Sequence, residues 1–337
     1  MKRLLFIYNM HAGQKRIVSN LAHSVDIFTK AGYEVTAYPT QKKGDATQKT
    51  MERTGSFDMV VCSGGDGTLD EVVTGMMQCR KKVPIAYIPA GSTNDFAASI
   101  KIPANMKKAA DIAVNGKVVN FDMGSFNNDI FVYVAAFGMF TDVSYGTDQA
   151  MKNTFGHLAY FFEGIKHLSE IKPYRIKIEY DGGVIEDNFI FGMVSNSLSV
   201  AGIKNFVGTD VLLDDGLFEA TFIRPALEVA AYNTEIANSI RTGKKNSLIL
   251  NFKTSFMKIT SDESLAWTLD GEYGGSYKEV ELSNIRRAVK MVVPTGVKLP
   301  FSNDIKAMTK KQELPALPGS TASETRIDEW EQKILNQ

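Results

Sequence analysis

The chain has 337 residues, 44% hydrophobic and 23% charged, with 38 basic and 38 acidic side chains and a formal net charge of zero. That length exceeds one ordinary domain and that composition is globular, so two domains with a sizeable core are expected. The balanced charge excludes a general nucleic-acid binder, which needs excess Lys and Arg to neutralise phosphates, but leaves room for a local membrane-surface patch.

The first third alternates short apolar strands with helices. Leu4–Tyr8, Glu34–Tyr38, Met59–Cys62 and Pro84–Ile88 read as strands, and Arg16–Lys30, Ala46–Arg53 and Thr68–Met77 as helices. Ile17, Leu21, Val25 and Phe28 share one face of the first helix. This pattern predicts βαβ units and a parallel sheet, in which ligands gather at the carboxyl ends of the strands. Met1-Lys2-Arg3 leads directly into a strand too short for a signal segment, and no apolar run approaches the roughly 18 residues of a membrane-spanning helix. A cytoplasmic protein with at most peripheral membrane contact is expected. Cys62 and Cys79 are the only cysteines. A disulfide between them stays open, although the apolar run ending at Cys62 favours a buried reduced thiol.

Beyond Asn120 the pattern changes to mainly antiparallel strands: Ile130–Phe137, Tyr174–Tyr180, Val184–Val194, Phe218–Ile223, Leu248–Phe252, Met257–Thr260, Val280–Leu282 and Val289–Val293. Asp181-Gly182-Gly183 reads as a hairpin turn, and Phe155–Leu168 and Leu227–Arg241 as helices. The predicted architecture is therefore an N-terminal parallel α/β nucleotide-binding domain (residues 1–125), followed by a β-sandwich or barrel domain (126–300) whose last strand could return to the first. A polar tail (301–337) follows, where Ile327, Trp330 and Ile334 fall at helical spacing.

Chemistry concentrates in the turns. Ser63-Gly64-Gly65-Asp66-Gly67-Thr68 joins a strand to a helix, and glycines there let exposed N–H groups and the helix amino end approach a phosphate. Thr68 is the expected helix cap. Asp66, a carboxylate among phosphate donors, requires a cation between, which points to magnesium. Pro89-Ala90-Gly91-Ser92-Thr93-Asn94-Asp95-Phe96 follows the next strand, placing Ser92 and Asp95 toward the same cleft if the strands are neighbours. Asn9-Met10-His11-Ala12-Gly13 and Thr40…Gly44-Asp45-Ala46 occupy the same edge. Asp270-Gly271-Glu272, taken alone, is a tight β-turn after Trp267–Leu269. The four histidines lack metal-ligand spacing, and neither a Gly-x-Ser-x-Gly elbow nor a P-loop is present.

With Gly64-Gly65-Asp66-Gly67-Thr68, the Pro89–Ala97 segment and Asp270-Gly271-Glu272 in view, the chain resembles the diacylglycerol kinase catalytic family, specifically the small bacterial lipid kinases related to sphingosine kinases. The resemblance covers roughly residues 1–298. It implies an ATP-dependent lipid kinase that phosphorylates a diacylglycerol-like lipid at the membrane surface, with Mg2+, no nucleic-acid partner, and a homodimer left open. It implies that Glu272 is the general base and that Asp66, Asp95 and Asp270 share the catalytic centre, Asp66 and Asp95 holding magnesium largely through water. Residues implied in nucleotide binding are Asn9, Gly13, Thr40, Gly64, Gly65, Asp66, Gly67, Thr68, Leu69, Asp70, Glu71, Ser92 and Asn94. A structural magnesium is implied at the Asp-Gly-Leu turn, with the Asp215 side chain and the carbonyls of Leu212 and Leu217. Phe137, Met139, Phe140, Phe161 and Phe162 are candidates for an acyl-chain slot, or equally for core.

The family pattern is departed from at Asn9-Met10, where Asn-Pro is usual, and at Ser92, Asp70 and Thr209, where threonine, asparagine and proline are usual. None of these removes a charged catalytic group, so an active enzyme is expected. A sphingoid-base kinase, an NAD kinase (which shares the Gly-Gly-Asp-Gly loop) and a silent nucleotide or lipid sensor remain as rivals.

Overall fold

The computed structural model describes residues 1–91, 94–138, 173–197, 199–200, 203–204, 211–225 and 247–302. The helices expected at Phe155–Leu168 and Leu227–Arg241, the slot candidates Met139, Phe140, Phe161 and Phe162, and the tail helix lie outside the described residues. The fold is mixed α/β, and the chain divides into two compact units, Met1–Asp122 with Leu213–Asp215 and Ile285–Gln337, and Met123–Leu212 with Gly216–Asn284. No helix among the described residues is long and apolar enough to cross a membrane.

In the first unit, strands β1 (Lys2–Tyr8), β2 (Tyr33–Pro39), β3 (Met59–Gly64) and β4 (Ile85–Pro89) form a parallel sheet in the order β2-β1-β3-β4. Leu4, Leu5, Phe6, Ile7, Val60, Val61, Cys62, Ile85 and Ile88 are buried, as strands covered on both faces require. Helix α1 (Arg16–Lys30) packs with α5 (Met106–Asn115), and α2 (Asp45–Arg53) with α3 (Asp66–Met77), while α4 (Asp95–Ser99) is a short turn of helix after β4. The α2–α3 pair closes at Gly75, where an added Cβ would stand 2.6 Å from the Thr47 carbonyl oxygen. Because the four strands are parallel, the turns that follow them lie at one carboxyl edge, and the strand order reverses between β1 and β3. Cys62 and Cys79 are both free thiols, and burial drives the Cys62 pKa upward.

The second unit is antiparallel. Strands β5 (Lys117–Phe126), β6 (Asp129–Phe131), β7 (Val134–Gly138), β8 (Tyr174–Tyr180), β9 (Gly183–Phe189) and β10 (Phe191–Ser195) precede a short hairpin of β11 (Ser199–Val200) and β12 (Ile203–Lys204). Strands β13 (Phe218–Ile223), β14 (Ile249–Thr254), β15 (Phe256–Leu269) and β16 (Glu272–Val293) follow, with β5 and β16 each passing from one unit to the other along their length. Within the unit the ladder runs β14-β13-β10-β7-β15, and the first half of β15 pairs with β8. Phe137, Phe189, Phe222, Ile178, Met257, Trp267 and Leu282 meet in its core. Phe137 is fully buried against Trp267, with ring centroids 4.8 Å apart, so it belongs to that core and not to an acyl-chain slot.

Four strand assignments differ from expectation. The run Ile130–Phe137 is broken at Val132-Tyr133, whose N–H groups turn aside to the Asp270 carboxylate. Val184–Val194 is broken at Ile190, where the chain leaves its pairing with β8 and joins β7 and β13. Conversely, Met257–Thr260 merges with Trp267–Leu269, and Val280–Leu282 with Val289–Val293, into two long strands. Exposed residues such as Asp262, Glu263 and Ser264 carry these strands through stretches without apolar alternation.

Buried carboxylates hold the non-contiguous pieces of the first unit together. Asp122 accepts the Arg287 N–H at 2.6 Å, and its own N–H donates to the Leu213 carbonyl. Asp214 accepts the Ser302 N–H at 2.6 Å and the Ser302 hydroxyl at 2.8 Å, and pairs with Arg287 at 3.2 Å. Asp214→Ala would strand those donors and should destabilise the first unit by about 2–4 kcal/mol, read as a lower denaturant midpoint with unchanged slope.

Candidate functional site

The first unit's carboxyl edge is assembled by glycines. Helix α3 begins at Asp66, with Gly65 in extended conformation as its cap. Thr68 is therefore inside the first turn and is not the cap expected from the sequence. Its side chain fills the space a Cβ on Gly64 would take, which is why the strand must end in glycine. The Gly64 carbonyl accepts the Ala90 N–H at 2.8 Å, the Gly91 N–H at 3.2 Å and the Tyr87 hydroxyl at 3.1 Å. A Cβ on Gly91 would lie 2.6 Å from the Gly65 Cα, and one on Gly13, whose φ is +47°, would collide with the Ala90 carbonyl. Three of the four turns are thus in backbone contact.

This contact sets the carboxylates. The Asp95 N–H donates to Asp66 Oδ2 at 3.2 Å. Asp66 Oδ1 is buried and has no hydrogen-bond partner among the described residues. Burial, with the Asp95 carboxylate adding to it, pushes the Asp66 pKa up from 3.8 to about 6. An oxygen left without a donor beside a second carboxylate is a donor set that suits a hard cation such as magnesium, which takes one or two carboxylates and keeps waters. Among the described residues no three His, Cys, Asp or Glu side chains cluster as a metal-ligating group.

Several candidate residues hold the edge in shape. Asn94, left-handed at φ 54°, accepts the Gly91 N–H at 2.9 Å and donates to the Gly91 carbonyl at 2.8 Å, so its amide clamps its own loop. Glu71 accepts the Gly44 N–H at 2.8 Å and the Ala46 N–H at 3.0 Å, capping α2. Leu69 is buried in the core and offers a nucleotide only its backbone. Asn9 accepts the His11 N–H at 2.9 Å, and the Thr40 N–H donates to the Tyr8 carbonyl. Asp70 and Gly67 lie half-buried on the first turn of α3, while Ser92 lies outside the described residues. Sequence reasoning passed over Tyr87, whose hydroxyl lies 3.2 Å from Asn94 Oδ1 as well as bonding Gly64. Its only signal was a lone hydroxyl in an apolar strand, where an aromatic ordinarily means core.

In the second unit, Asp270 (φ 51°) and Gly271 (φ 88°) are successive left-handed residues between the paired Leu269 and Glu272. That is the turn an Asp-Gly dipeptide favours, and it leaves Glu272 exposed at the start of β16. At the Asp-Gly-Leu turn Gly216 has φ 85°, and Leu212, Asp215 and Leu217 are half-buried. The neighbouring Asp214 carboxylate, in the first unit, is engaged by Ser302 and Arg287.

Two outcomes test this geometry. The folded protein holds the Asp66 proton to about pH 6 while the unfolded chain releases it near 3.8. The resulting stability is complete below the lower value and lost as pH rises through the upper one. Asp66→Asn should therefore be more stable than wild type at pH 8, and the advantage should shrink by on the order of 2 kcal/mol by pH 4, measured by thermal unfolding without ligand. Gly91→Ala forces two turns apart and should cost about 1–3 kcal/mol at every pH.

The model of the diacylglycerol kinase catalytic domain matches residues 3–126. The diacylglycerol kinase of Bacillus subtilis (strain 168) is 33% identical over 297 residues, covering 87% of this chain and 97% of that protein. The diacylglycerol kinase of Staphylococcus carnosus is 32% identical over 298 residues, covering 88% and 97%. A solved structure from Bacillus anthracis str. Sterne, assigned as a diacylglycerol kinase, superposes with a TM-score of 0.78 at 26% identity, covering 88% of this chain and 97% of that one. With identity above 30% along nearly the whole length of such relatives, this chain belongs to the diacylglycerol kinase family.

Proposed function

We propose that the chain transfers the γ-phosphoryl group of ATP to the free hydroxyl of a diacylglycerol-like lipid, giving a phosphatidic acid and ADP. The observation that carries this reading is the backbone contact of Gly64 and Gly65 with Ala90 and Gly91, with one Asp66 carboxylate oxygen lacking a donor among the described residues, in a chain akin to named diacylglycerol kinases. Supporting it, Gly65 and Gly67 at the amino end of α3 leave N–H groups and the helix dipole to favour triphosphate oxygens. Gly13, Thr40 and Asn9 border the same edge. Asp66 and Asp95 would hold magnesium, and Asp215 with the carbonyls of Leu212 and Leu217 a second, structural ion. Bound there, magnesium would neutralise phosphate charge.

In the reaction the lipid hydroxyl oxygen bonds to the γ-phosphorus, the bond from that phosphorus to the β–γ bridging oxygen breaks, and the hydroxyl proton passes to the Glu272 carboxylate. A carboxylate suits this task because the hydroxyl becomes acidic only as the new bond forms. The lipid would be taken from a membrane surface, with its acyl chains left there.

Transfer of labelled γ-phosphate from ATP to diacylglycerol in mixed micelles, monoacylglycerol, sphingosine, undecaprenol and NAD tests the reading. Label should appear in phosphatidic acid, and Glu272→Gln should lower kcat by about 100- to 10,000-fold with little change in the KM for ATP. Label in NADP alone, or a Glu272→Gln variant within a few-fold of wild type, would sink it.

A further inference from the structure

Why the general base should sit in an Asp-Gly-Glu sequence is answered by what Asp270 touches. Its side chain is buried, and its carboxylate receives the backbone N–H groups of Val132, Tyr133 and Val134, the latter two at 2.9 and 3.0 Å on one oxygen. Its own N–H donates to the Val134 carbonyl at 2.8 Å, and the Tyr133 hydroxyl reaches the Asp270 carbonyl at 3.4 Å. The break between β6 and β7 exists to point those N–H groups inward, since a continuous strand would have turned them alternately to either side. The residue is also left-handed, so the two residues preceding Glu272 are held by backbone geometry and by a ring of fixed donors.

We infer that Asp270 is the positioning residue of the base: its carboxylate, seated in the Val132–Val134 amides, sets the direction in which the exposed Glu272 leaves the hairpin. The inference rests on the reading of Glu272 as base. Glu272 directly follows the two-residue turn, and proton acceptance is effective only within hydrogen-bond reach of the reacting hydroxyl, so the direction in which it leaves the turn matters. A β-turn needs only a residue tolerant of positive φ at this position, which Asn or Gly supplies as well as Asp. The three amides in addition need acceptors, which Asn supplies only in part and Gly does not supply.

Asp270→Asn and Asp270→Gly keep the left-handed turn while changing the anchor. Asn leaves one oxygen for Tyr133 and Val134 and turns an NH2 toward the Val132 N–H, whereas Gly removes the anchor entirely. The test measures kcat, the KM for ATP and the pH–rate profile of both variants beside wild type and Glu272→Gln, on the lipid that wild type phosphorylates. The expected result is a kcat reduced about 10- to 100-fold, more for Gly than for Asn, with the KM for ATP within about twofold. The acid limb of kcat should flatten toward that of Glu272→Gln. If Glu272→Gln is inactive while both Asp270 variants keep wild-type kcat and profile, the positioning inference alone is overturned. If Glu272→Gln is itself active, the base reading fails and takes the inference with it. A loss confined to the KM for ATP or to melting temperature, with kcat and its pH profile unmoved, would also overturn it by showing Asp270 to be merely structural.

Discussion

The contact between the turns after β3 and β4 is the constraint on which the first unit's chemistry depends. Gly64 gives its carbonyl to Ala90, Gly91 and Tyr87, and Gly65 and Gly91 meet Cα to Cα with no room for a side chain. Two strands of a parallel sheet bring their ends near each other in any case. Only the absence of side chains lets the loops beyond those ends close to hydrogen-bonding distance. The consequence is that Asp66 and Asp95, far apart in sequence, are joined by a backbone hydrogen bond.

Several carboxylates among the described residues are held by backbone amides. Asp45 takes the Gln41 N–H, Glu71 those of Gly44 and Ala46, Asp122 that of Arg287, Asp181 that of Ser255, Asp214 that of Ser302, and Asp270 those of Val132 to Val134. Such bonds tie loop to strand. Asp66 accepts the Asp95 N–H on one oxygen, while its other oxygen is buried without a donor among the described residues, and burial together with the Asp95 carboxylate raises its pKa.

The parallel half of the fold was legible in the residues. Its central strands are largely apolar, and the observed bounds of α1 coincide with those read from its periodicity. The antiparallel half was less so. β15 and β16 run through polar, exposed stretches in which no alternation marks the chain, and their register shifts between Thr260 and Leu265. The break between β6 and β7 could not be seen locally either, since its cause is a carboxylate more than a hundred positions away.

By itself, the order of residues determined the chemistry on offer: glycines, hydroxyls and carboxylates at the ends of apolar strands, and an Asp-Gly pair disposed to a left-handed turn. These follow from local physics, in which φ preference, helix caps and side-chain periodicity act within a few residues. Tertiary structure decided which of those groups find donors among distant segments. Asn94, Glu71 and Asp270 are engaged by amides, while Asp66 keeps an oxygen in reserve. That division could not be read along the chain, because whether a buried polar atom finds a partner depends on what distant segments bring to it.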